Sequence, residues 1–261
     1  MSSDEREQLA EGSLISHLME LRDRLLRAVI VTAIVFVPCA IYSNELFTLI
    51  AMPLLEKLPQ GTSMIATSLV APFMAPLKLA LFVALFIAMP YVLYQAWAFV
   101  APGLYKHEKR FAVPLVVSSI VLFYCGVAFA YFVVFPLMFA FLTSTAPTGV
   151  LLMTDMSNYL DFVLLLFFAF GVAFEIPVAT VLLAATGLVK LETMTKNRGY
   201  VVLAIFIIAA FLTPPDALSQ CFMAVPMYLL YEAGIVMSRM LLRDKLARQR
   251  EEASQEERHQ E

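Results

Sequence analysis

The sequence predicts an all-α membrane protein with six transmembrane helices and both ends on the cytoplasmic side. Of its 261 residues, 61% are hydrophobic, and the mean hydropathy is +0.81; soluble domains stay nearer about 45–50% apolar. Only 15% of residues are charged, and most of these lie in the two tails and a few short loops. The apolar residues fall into six runs, each set off by polar or proline-containing segments.

Residues 1–24 form a polar cytoplasmic segment. Residues 1–12 are acidic rather than basic and no cleavable signal peptide is expected, since the first apolar run is long enough to remain as a span. Residues 13–26 predict an amphipathic helix, with Leu14, Leu18, Leu21 and Leu25 on one face, Ser13 as its N-cap, and Glu20, Asp23 and Arg24 on the other face. That polar face is either a solvated surface at the membrane or a binding surface for a basic peptide.

Residues 25–240 form the transmembrane domain. The apolar runs are 25–41, 76–99, 113–135, 162–186, 200–212 and 218–237. A helix needs roughly 20 residues to cross a hydrocarbon core of about 30 Å. The last two runs read as a short hairpin around Thr213-Pro214-Pro215-Asp216, where two prolines end one helix and Asp216 caps the next. Run five alone covers only about 20 Å. It calls for a locally thinned bilayer or for help from flanking residues. Residues 241–261 are a polar tail, expected to lack fixed structure.

Orientation follows from the basic residues. All of the 18 Lys and Arg except Lys57 and Lys78 fall in the N-terminal segment, loops 101–112 and 187–199, or the C-terminal end. The positive-inside rule puts these on the cytoplasmic side. Both ends share that side, so the span count is even. The outward segments 42–75 and 136–160 are proline-punctuated and predict short helical caps, the second opened by Pro136.

The chain has no phosphate-binding glycine loop, and His17, His107 and His259 sit with no nucleophile and no ligand spacing. Catalysis, a metal and a cofactor are therefore not expected, nor is nucleic acid. Cys39, Cys125 and Cys221 lie in apolar runs and read as buried small hydrophobes. Glu108, in a basic loop, is either a local charge partner or, with Glu20, one of two carboxylates able to grip guanidinium groups. Glu175 is the deepest ionisable group, with Pro177 two residues on to kink the helix. Such a group is functional by default; the alternative is a protonated side chain bonded to a neighbouring helix. Glu232, near the inner end of run six, reads as snorkelling to the interface.

Four ordered segments resemble the TatC family, the multispanning subunit of the twin-arginine protein translocase. They are His17-Leu18-Met19-Glu20-Leu21-Arg22-Asp23-Arg24-Leu25, the stretch 94–108 from Tyr94 through Trp97 and Pro102-Gly103-Leu104 to Glu108, Phe170-Gly171-Val172-Ala173-Phe174-Glu175-Ile176-Pro177, and Thr213-Pro214-Pro215-Asp216. Pro226-Met227-Tyr228 fits as well, and the resemblance spans about residues 14–240.

The resemblance implies a core receptor in the bacterial inner membrane for the Arg-Arg signal peptides of folded proteins. It implies assembly with TatA- and TatB-type single-span partners, an oligomeric translocase, and export driven by the proton gradient. By motif, Glu20 and Glu108 would contact the twin arginines, with Arg22, Phe99 and Leu104 in the same patch. Glu175 would face an intramembrane groove. Pro53 and Asp216 would belong to the periplasmic cap and hairpin. Ala210, Thr213 and Gln220 would meet partner helices. The competing reading is a secondary transporter or ion channel using Glu175, against which stands the lack of a convincing internal repeat.

Overall fold

The computed structural model describes residues 3–55, 64–100, 112–144, 154–213 and 216–241. In order, the elements are α1 (Ser3–Ile41), α2 (Ser43–Leu55), β1 (Met64–Ile65), α3 (Ala71–Val100), α4 (Ala112–Phe129), a π-helical turn (Ala130–Val134), α5 (Phe135–Ser144), β2 (Thr154–Asp155), α6 (Met156–Ala173), α7 (Ile176–Thr186), α8 (Leu191–Lys196), α9 (Arg198–Leu212) and α10 (Ala217–Leu241). Among the described residues, five stretches are long and apolar enough to span a membrane: Ile15–Ile41, Ala71–Phe99, Val113–Phe141, Met156–Thr186 and Ala217–Leu241. Arg198–Leu212 is a shorter apolar helix. These are the six runs read from the sequence. The short one is the fifth, at 15 residues; around the sixth run the helix extends to 25 residues.

Helical boundaries differ from expectation in three places. First, α1 runs unbroken from Ser3 through Ile41, so Ser13 lies inside a helix rather than capping one. Second, the third span does not stop at 135. It passes through one π turn, and Pro136 is the second residue of α5 instead of the start of a cap. The π turn takes up the proline: the Phe135 N–H reaches back five residues to Ala130 O, just where Pro136 has no N–H to give to an α-helical ladder. Third, the fourth span starts at Met156, six residues early, and breaks at Phe174–Glu175. The break follows from Pro177, which sits at the start of α7 and cannot donate to Ala173. The Glu175 N–H turns to Val172 O at 3.0 Å, and the ladder resumes with Ala179 N to Glu175 O at 2.9 Å. α7 then ends at Gly187, whose φ of 73° is the left-handed C-cap that glycine accommodates without a Cβ clash.

The chain divides into two units. One comprises Met1–Ile120 and Thr145–Leu164, the other Val121–Ser144 and Leu165–Glu261. In the first, α1 and α2 pack on α3. Small residues make this possible: Ala80 and Ala84, one turn apart on α3, seat Cys39, Val35 and Phe36 of α1. Ala75 and Leu79 meet Leu160 and Leu164 of α6. The connecting segments before α3 and before α6 join through a two-residue parallel ladder, Met64 opposite Thr154 and Ile65 opposite Asp155.

In the second unit, α10 packs on α7, α8 and α9. Tyr231 and Ile235 bury against Met194, and the Tyr231 hydroxyl donates to Met194 O at 2.9 Å. Aromatic rings fill the space between α4 and α6: Phe129 lies 5.7 Å from Phe170 and 5.6 Å from Phe174. Gly126 lets these helices touch, since a Cβ there would overlap the Phe170 carbonyl.

Candidate functional site

The expected peptide-binding residues that the structure describes lie on α1 and at the end of α3, within the first unit. One turn before Glu20 on α1, the His17 ring stacks on Phe99 with centroids 4.3 Å apart and planes 19° from parallel. One turn on, Glu20 Oε1 accepts from Arg24 Nη2 at 2.7 Å and from Arg24 Nε at 2.9 Å. Arg24 Nη1 donates to Gln95 Oε1 at 3.2 Å, and the Gln95 amide donates to the Tyr91 hydroxyl at 2.7 Å. Gln95 is 5% exposed, whereas the Glu20 side chain is 40% exposed. The result is a carboxylate open to solvent on one side, flanked by an aromatic wall and backed by a polar chain leading into the bundle.

This arrangement suits guanidinium recognition. A carboxylate takes planar N–H forks in charge-assisted bonds, and a flat ring offers a face to a delocalised cation. Behind it, Trp97 anchors the end of α3 by donating to Ser119 Oγ of α4 at 2.6 Å, both residues being buried. Leu104 and Glu108 lie outside the described residues. Arg22 points away from Glu20 and pairs with its neighbour Asp23 at 2.8 Å in the open. Arg24, Gln95, Tyr91 and His17 are the partners the sequence reading missed. Arg24 was the findable one, since Glu20 and Arg24 stand four apart on one helix face.

The other expected site residues scatter. Glu175 is half-buried at the α6–α7 break. Asp216 caps α10, its Oδ1 accepting from Ser219 N at 2.7 Å. Pro53 falls in the last turn of α2. Ala210 is exposed and Gln220 half-buried. Thr213, expected on the same exposed edge, is instead buried, with its hydroxyl turned back onto Ala209 O at 2.9 Å. A threonine at a helix end satisfies itself this way when no other polar group reaches it. Of the cysteines, only Cys39 is buried; Cys125 and Cys221 are exposed.

Two ion pairs join separate helices. Lys78 of α3 bonds Asp161 of α6 at 2.7 Å. Glu232 does not snorkel alone: it takes Arg198 at 2.7 and 2.8 Å and accepts from the Tyr228 hydroxyl at 2.8 Å. Among the described residues no group of three or more His, Cys, Asp or Glu is placed to hold a metal.

The profile of the family Sec-independent protein translocase protein (TatC) matches residues 16–226. The chain is 53% identical over 226 residues to the Sec-independent protein translocase protein TatC of Haemophilus influenzae, covering 87% of this chain and 88% of the relative. It is 50% identical to the protein of the same name from Escherichia coli K12, over the same shares. The crystal structure of a twin-arginine translocase receptor, TatC, matches with a TM-score of 0.77 at 37% identity. It covers 86% of this chain and 98% of that one. Six apolar helices in this order, with those relatives, make the chain a multi-pass membrane protein that belongs to the TatC family of Sec-independent protein translocase proteins.

Proposed function

We propose that the chain is the receptor subunit of a twin-arginine translocase in the bacterial inner membrane. It binds Arg-Arg signal peptides of folded cargo on the cytoplasmic side and works with TatA- and TatB-type single-span partners. The observation that carries this reading is Glu20: its half-exposed carboxylate already holds one guanidinium through two N–H bonds, beside the stacked His17–Phe99 pair. Glu108 would supply the second carboxylate. Both chain ends lie in the cytoplasm on this reading, by the distribution of Lys and Arg. The exposed face of α9, with Tyr200, Leu203, Ile207, Ala210 and Phe211, is the edge for partner helices. Transport draws on the proton gradient.

The test is peptide binding to the purified full chain in detergent. A peptide carrying Arg-Arg should bind tighter than its Lys-Lys counterpart, and Glu20→Gln or Glu108→Ala should abolish the preference. Equal binding of the two peptides by the unaltered protein overturns the reading.

A further inference from the structure

The Glu20 carboxylate is not bare. Both bonds from Arg24 end on one oxygen, Oε1, at 2.7 and 2.9 Å. A carboxylate oxygen offers two lone pairs, so Oε1 is filled. A second guanidinium docking fork to fork needs both oxygens. It gains them only when Arg24 gives up a bond. Arg24 has a place to remain, because its Nη1 is held by Gln95 Oε1 at 3.2 Å and Gln95 is fixed in turn by Tyr91.

Building on the receptor reading, we propose that Arg24 is a resident guanidinium, occupying Glu20 in the empty receptor and yielding it to an arginine of the arriving peptide. Gln95 and Tyr91 keep Arg24 in reach during the exchange. Arg24 is thus a positioning residue that sets specificity. Exchange with an incoming guanidinium replaces like with like. A lysine ammonium is a point charge that needs no planar pair of bonds, so it can sit on the open Oε2 and leave Arg24 in place. The resident arginine therefore costs arginine peptides affinity and lysine peptides little.

The test compares the unaltered full chain with Glu20→Gln, Arg24→Gln and Gln95→Glu, each titrated in detergent with the Arg-Arg and Lys-Lys peptides. Arg24→Gln should tighten the Arg-Arg peptide about fivefold and the Lys-Lys peptide about twofold or less, the scale of one half-exposed ion pair. The ratio between the two peptides should therefore rise. Gln95→Glu keeps the charge of Arg24 but offers it another carboxylate, and should shift the ratio in the same direction. It decides the matter if Arg24→Gln does not fold. An unchanged ratio in the folded variants, with or without weaker binding of both peptides, reduces Arg24 to a structural part and overturns the proposal. If the unaltered protein ignores the arginines, or Glu20→Gln leaves the preference intact, the receptor reading itself falls.

Discussion

Gly234 of α10 lies so close to Pro177 of α7 that a Cβ on the glycine would stand 2.9 Å from the proline Cα and 3.0 Å from the Thr180 side chain. Backbone cannot yield as a side-chain tip can. Gly234→Ala should therefore push α7 and α10 apart at a cost of about 1–3 kcal/mol. Thermal unfolding in detergent checks this. Gly199→Ala, where nothing stands within 4 Å, should leave the melting temperature unchanged or raise it.

Asp155 gathers four donors. Thr67 gives Oδ2 its hydroxyl at 2.5 Å and its N–H at 3.1 Å, while Ser157 and Asn158 give Oδ1 their N–H groups at 3.0 and 2.9 Å. The Thr67 hydroxyl foremost, then the backbone donors, hold the carboxyl down at about 2, against an ordinary 3.8. A lowered folded-state value stabilises above the unfolded value and is lost on acidification. The difference in melting temperature between the parent and Asp155→Ala should thus be constant above pH 3.8. It should shrink as pH falls from there toward 2. A constant difference through that window would assign the effect to packing.

Trp97 and Ser119 are both buried, and their 2.6 Å bond ties α3 to α4. Ser119→Ala leaves the indole N–H without this acceptor, at about 1–3 kcal/mol. Adding Trp97→Phe removes the donor as well. The double variant should then lose less than the two single losses combined, as a double-mutant cycle would report.

α9 covers about 22 Å at 15 residues, short of a hydrocarbon core of about 30 Å. Inserting one helical turn should impair transport of a folded reporter while leaving Arg-Arg peptide binding intact. Unchanged transport would remove local thinning of the bilayer from the mechanism.

What the sequence made legible was most of what depends on position along the chain, the exact helix ends at Ser13, Pro136 and Met156 apart. The six runs, the break before Pro177 and the Asp216 cap are local consequences of hydropathy and of a missing N–H. What it hid depends on the rotation of helices about their axes. In a soluble helix the polar face reveals that rotation, but in α3 or α9 both the lipid-facing and the packed residues are apolar. The Lys78–Asp161 pair, the Arg198–Glu232 pair and the burial of Thr213 were therefore invisible. So was Asp155, whose partner Thr67 lies 88 residues earlier in a different connecting segment. Arg24 was legible at i+4 from Glu20 and was read only as part of a polar face.

The parallel ladder between Met64–Ile65 and Thr154–Asp155 carries a consequence for assembly order. Its two strands are separated by the whole of α3, α4 and α5. Synthesis runs from the N-terminus, so the first strand emerges long before its mate. The ladder closes only after the second and third spans have been made and the fourth is beginning. Closing so long a loop is entropically costly, so it comes after local helix formation. Until then Ile65 and Thr67 have no counterpart, and a nascent chain halted before Thr154 cannot form this clasp.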